Sequence, residues 1–122
     1  MDNLISWFEI PVSDFNRAKT FYAAILEAEI QEMEIAGTLM GMFPTDGQNV
    51  SGAIIQGDDY KPTSDGCLVY LNARNNIPAF LERVEKAGGT VIVPKTEISP
   101  EFGYFAIFID SEGNKLALHS PQ

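Results

Sequence analysis

A chain of 122 residues is long enough for one domain that buries roughly two-thirds of its unfolded surface without disulfides or a structural metal. A hydrophobic fraction of 45% with 20% charged residues excludes a disordered or fibrous chain. Seventeen acidic residues against eight basic ones give a formal charge of -9, which repels phosphate backbones and anionic lipid, so neither nucleic acid nor membrane is an expected partner.

Met1-Asp2-Asn3 opens the chain acidic, and no apolar run reaches the roughly 18 residues of a membrane span. Residues 5–12 alternate as a strand, with Phe8, Ile10 and Val12 on one face and Trp7, Glu9 and Pro11 on the other. Ser13-Asp14 then supplies helix caps. Ala18, Phe21, Tyr22, Ile25 and Leu26 repeat at helical spacing up to about Ala28. The first apolar strand face should pack on that helix. Three strands follow at 30–35, 38–43 and 50–56, broken at Ala36-Gly37 and at 44–49.

Residues 58–66 are polar and suit an exposed connection. A strand at 67–71 begins with Cys67, the sole cysteine, which cannot close an intrachain disulfide; together with the amino terminus this points to a cytoplasmic protein. A helix at 77–87 carries Ile77, Phe80, Leu81 and Val84 and stops at Gly88-Gly89. Strands at 90–93, 102–109 and 115–119 complete the chain, the last two joined by a turn at Ser111-Glu112-Gly113-Asn114.

The order βαβββ thus occurs twice, with a period of about 60 residues. The expected fold is α+β: one domain over 1–122, its modules at about 4–57 and 66–120, forming a half-open, barrel-like mixed sheet with the helices outside. The sheet face away from each helix is only partly apolar, and a cleft lined by such faces is a usual place for a small molecule.

Phe8-Glu9-Ile10-Pro11-Val12-Ser13-Asp14 leading into Arg17-Ala18 and Phe21-Tyr22, then Ala87-Gly88-Gly89, then Asp110-Ser111-Glu112-Gly113-Asn114, together resemble the vicinal oxygen chelate superfamily of glyoxalases, bleomycin-resistance proteins and extradiol dioxygenases. The resemblance covers about residues 4–120. It implies a homodimer. It also implies a divalent metal held by His and Glu of the inner strands, which grips two adjacent oxygens of the substrate. Carried onto this chain, the first-strand histidine falls at Trp7, the fifth-strand histidine at Cys67, the last-strand glutamate at Ala117 and its first-half counterpart near Gly52. Only Cys67 of the four has a ligating side chain, so no metal cofactor is expected. An alternative divalent site would have to draw on Glu9, Cys67 and His119.

The residues singled out for ligand binding are Trp7, Glu9, Cys67, Ala117 and His119. Each has an ordinary structural role beside the functional one. Trp7 fills a core or offers a flat stacking wall. Glu9 is a carboxylate in an apolar strand, satisfied by Arg17, Lys115, His119 or a bound cation. Cys67 is a small buried hydrophobe or a thiol nucleophile. His119 is a hydrogen-bonded terminal-strand histidine or a ligand contact. Met33, Met40 and Met42 add adaptable apolar surface if they share the cleft face.

Three functions compete on this reading. The first is a metal-free protein that binds a small molecule, cationic or aromatic. The second is a lactoylglutathione lyase-like or dioxygenase-like enzyme with non-standard ligands. The third is a dimerising regulatory module.

Overall fold

Each half of the chain folds as the alternation of its apolar residues requires. The computed structural model describes residues 3–122. In chain order the elements are β1 (Trp7–Pro11), α1 (Phe15–Leu26), β2 (Gln31–Ile35), β3 (Thr38–Met42), β4 (Ser51–Gln56), β5 (Val69–Asn72), α2 (Ile77–Lys86), β6 (Thr90–Ser99), β7 (Gly103–Ile109) and β8 (Lys115–Ser120). This is the expected α+β fold with βαβββ repeated. The chain divides into two compact units, Met1–Pro62 and Thr63–Gln122. Among the described residues no helix is long and apolar enough to cross a membrane.

In the first unit Asp14 caps α1, its Oδ1 accepting the Arg17 amide at 3.1 Å. The helix buries Phe15, Ala18, Phe21, Tyr22 and Ile25. It ends on Glu27, which takes the left-handed conformation at φ 51° while the Ala28 amide donates to the Ala23 carbonyl at 3.1 Å. The sheet order is β1-β4-β3-β2, with β1 and β4 parallel and the remaining pairs antiparallel. Phe8, Ile10, Gly52, Ile54 and Gly41 share one face through the register Phe8 to Gly52, Ile10 to Ile54 and Gly41 to Ile54. That face meets the helix. The Phe43 ring lies 5.8 Å from Phe8 and 5.5 Å from Tyr22, bridging sheet and helix, and each buried ring of this kind stabilises the unit by about 2–3 kcal/mol.

The second unit repeats the plan with the order β5-β8-β7-β6, β5 and β8 being parallel. Asn76 caps α2, its Oδ1 accepting the Ala79 amide at 3.1 Å, and Pro78 sits in the first turn. Gly88 at φ 102° closes the helix while the Gly89 amide donates to the Val84 carbonyl at 2.8 Å, as the Gly-Gly pair suggested. Ile77, Phe80 and Val84 are buried with Leu71, Ala106, Phe108, Leu116 and Leu118 as this unit's core.

Most element ends differ from the sequence reading by a residue or two, and two of the differences matter. β6 runs ten residues rather than ending at Val93, because an edge strand tolerates Pro94 and register shifts between Val91/Val93, Val93/Thr96 and Glu97/Ser99 absorb the misfit. Lys95 Nζ sits 4.6 Å from the Tyr104 ring centroid and helps hold this extension. β5 begins at Val69, which leaves Cys67 outside the strand.

Candidate ligand site

Across β1 and β4, Trp7 pairs with Ser51, Glu9 with Ala53 and Pro11 with Ile55; across β4 and β3, Ala53 pairs with Met42 and Ile55 with Met40; across β3 and β2, Met40 pairs with Met33 and Met42 with Gln31. Paired residues share a face, so the face turned away from α1 carries Trp7, Glu9 and all three of Met33, Met40 and Met42. The strand alternation implied this for Trp7 and Glu9, and the register brings the three methionines to the same face. Trp7 is 39% exposed, so it does not fill the core.

Glu9 is exposed, and its side chain has no hydrogen bond or ion pair among the described residues. The salt bridge expected for it within its own unit, to Arg17, does not form; Lys115 and His119, the other partners considered, belong to the second unit. Solvent, rather than a partner, meets the charge on a face whose other members are mostly apolar.

The second unit places a different set on the equivalent face. The Val12 amide donates to the Ile55 carbonyl and the Ala73 amide to the His119 carbonyl, both at 2.9 Å, which fixes the correspondence of the two repeats. In that frame Ala53 corresponds to Ala117, and Glu9 to Tyr70, which pairs with Ala117. Trp7, five residues before Val12, corresponds to Leu68, five before Ala73.

Two expectations are thereby corrected. Cys67 is exposed and off the strand; the ligand position falls to Leu68, and a one-residue slip reverses the face of a strand. Gly52 faces the helix, where an added Cβ would run into the Phe8 carbonyl and ring, so the first-half counterpart of Ala117 is Ala53.

His119 pairs with Phe105 on one side and Asn72 on the other. Its Nε2 donates to the Phe102 carbonyl at 2.7 Å, the hydrogen-bonded terminal-strand role considered above. Cys67 lies outside β5, and no hydrogen bond joins its thiol to the His119 imidazole among the described residues.

Around His119 the second unit has a surface pocket of about 490 Å³ whose lining includes Tyr70, Asn72, Arg74 and Asn75. Arg74 and Asn75 are both left-handed, at φ 53° and 68°; asparagine adopts this conformation readily, whereas it costs an arginine on the order of 1–2 kcal/mol. Asn72 Oδ1 accepts the Arg74 amide at 2.8 Å and secures the turn. The sequence reading named His119 but missed the rest of this site; the signal was two residues, Arg74 and Asn75, between Ala73 and the helix cap Asn76, where the first repeat has only Ser13 between Val12 and Asp14.

The fold and these faces define a class, and comparison with known proteins agrees with it. The chain matches the family model of the Glyoxalase/Bleomycin resistance protein/Dioxygenase superfamily over residues 4–118, and it belongs to that family. The solved structure of UcmS2 is similar at 27% identity and a TM-score of 0.70, covering 98% of both chains. A glyoxalase/bleomycin resistance protein from Albidiferax ferrireducens T118 shares 18% identity at a TM-score of 0.72, over 95% of this chain and 97% of that one. The fosfomycin resistance protein FosX from Listeria monocytogenes shares 17% identity at 0.67, over 100% and 93%. No curated protein matches the chain significantly.

A divalent metal of the kind the family resemblance implies needs about three nitrogen or oxygen donors from the protein. The corresponding positions hold Trp7, Leu68, Ala53 and Ala117, none with a ligating side chain. Among the described residues no three His, Cys, Asp or Glu side chains gather as a metal site. These residues do not fit the metal.

Proposed function

We propose that the chain binds a small cationic, aromatic molecule on the sheet face of its first unit that is turned away from α1, without a metal. The observation that carries this reading is Glu9: an exposed carboxylate without a protein partner, on a face shared with Trp7, Met40 and Met42. A ligand ring would stack on the indole and thioethers, and its positive charge would meet Glu9. Charge is distributed to suit: the first unit has ten acidic and three basic residues and the second seven and five, so -7 of the net -9 lies with the first.

A homodimer belongs to the same proposal, because β2 is an edge strand that leaves Met33 and Ile35 exposed. Light scattering on the eluting protein checks it. The binding reading is tested by titrating cationic aromatic compounds against the fluorescence of Trp7, the sole tryptophan, beside a thermal-shift screen. Saturable quenching with a raised melting temperature supports it; a flat response across a broad panel contradicts it.

A further inference from the structure

The pocket beside His119 is lined by residues of the second unit, none of which is among those of the binding proposed above. Its lining contains Arg74, Asn72, Tyr70 and His119 and no carboxylate, although acidic residues outnumber basic ones in the chain by seventeen to eight. The Arg74 side chain has no hydrogen bond or ion pair among the described residues. Asn72 spends its Oδ1 on the Arg74 amide, so its Nδ2 remains a donor without a protein partner. Tyr70, 52% exposed, adds a flat ring and a hydroxyl.

These groups agree in sign. A guanidinium fork, a carboxamide N–H and a phenol donate to oxygen, and the fork matches a carboxylate in two parallel bonds. At about 490 Å³ the pocket holds more than a simple inorganic ion, and Tyr70 with Leu71 and Pro121 supplies apolar surface for a ring. Arg74 is held in a strained left-handed conformation of the kind retained at ligand sites, and it is part of the pocket lining.

We propose that this pocket binds a small aromatic carboxylate, with Arg74 holding the carboxylate, Asn72 donating to it and Tyr70 stacking on the ring. The test is an amide-shift NMR titration of the full chain with sodium benzoate, benzamide and inorganic phosphate. Benzoate is expected to give saturable shifts at Asn72, Arg74, Asn75 and His119, and neutral benzamide none. Arg74→Gln is expected to weaken benzoate about tenfold or more, as for the loss of a charge-assisted hydrogen bond, and Arg74→Lys by less. Tyr70→Leu, at an exposed site, is a second variant with an expected loss of several-fold. Absence of saturable shifts at these amides would overturn the assignment. So would an unchanged affinity in Arg74→Gln with its spectrum otherwise intact, or equal binding of inorganic phosphate. None of these results bears on Trp7, so the two proposals fail separately.

Discussion

Glu9 lies directly opposite Ala53 in the parallel register of β1 and β4, and the corresponding pair in the second repeat is Tyr70 and Ala117. Where the family resemblance implies metal ligands, this chain has small side chains on the later strand and an acid or an aromatic beside them. Glu9 is then the charged group that the proposed cation would meet on this face.

The metal account gives the first expected outcome. Protein freed of any histidine tag and purified without added metal should contain no stoichiometric transition metal by elemental analysis, and soaking followed by desalting should not introduce one. About one metal per chain would mean that donors other than those considered converge.

The β2–β3 turn offers a stabilising substitution. Ala36 at φ 52° and Gly37 at φ 83° form a two-residue turn in which both residues are left-handed, and alanine is strained there. Ala36→Asn, giving the preferred Asn-Gly pair, should stabilise the protein by about 0.5–1 kcal/mol, read as a higher denaturant midpoint at unchanged slope.

Asp110 organises the β7–β8 turn from within. Its Oδ1 accepts the amides of Glu112 at 2.8 Å and Asn114 at 2.9 Å, and its Oδ2 accepts Asn114 Nδ2 at 3.0 Å. Asn114 Oδ1 in turn accepts the Thr63 amide at 3.0 Å, tying down the start of the second unit. Both residues are buried. Asp110→Ala strands these donors and should cost about 2–4 kcal/mol by urea denaturation, whereas Asp65→Ala, at an exposed position, should stay within about 0.5 kcal/mol.

Asp46 supplies a pH dependence. Its carboxylate accepts amides from Asn49 and Gln48, and these bonds, Asn49 first, hold its pKa below the ordinary 3.8. A depressed folded-state pKa contributes stability above 3.8 that is lost as pH falls through the lower folded value. Asp46→Ala should therefore lower the denaturant midpoint at about neutral pH, and its deficit should shrink as the pH drops below 3.8. A deficit independent of pH would show that the carboxylate charge is not its source.

How far the sequence was legible varies from residue to residue for physical reasons. Alternation in residues 5–12 assigned Trp7 and Glu9 to the face turned away from α1, because strand parity leaves no choice once Ile10 and Val12 are buried. The fifth strand gave no such anchor. Cys67-Leu68-Val69-Tyr70-Leu71 has no charge to fix its parity, so Cys67 took the place that belongs to Leu68. Pro94 hid the second half of β6, since whether a strand lies at an edge is decided by topology. The pocket at Arg74 needed the backbone conformation of two residues that carry no glycine signal. The unpaired state of Glu9 likewise depends on where distant cations end up.

The proposed binding surface for a cationic aromatic molecule is the face that carries Trp7 and Glu9. Amide-shift mapping with the best compound from the fluorescence panel, on the wild-type chain and on Glu9→Gln, tests it most directly. The account expects shifts centred on Trp7, Glu9, Met40, Met42 and Ala53, with affinity about tenfold weaker in Glu9→Gln and folding stability within about 0.5 kcal/mol of wild type. Shifts centred elsewhere, or an affinity indifferent to Glu9→Gln, would contradict it.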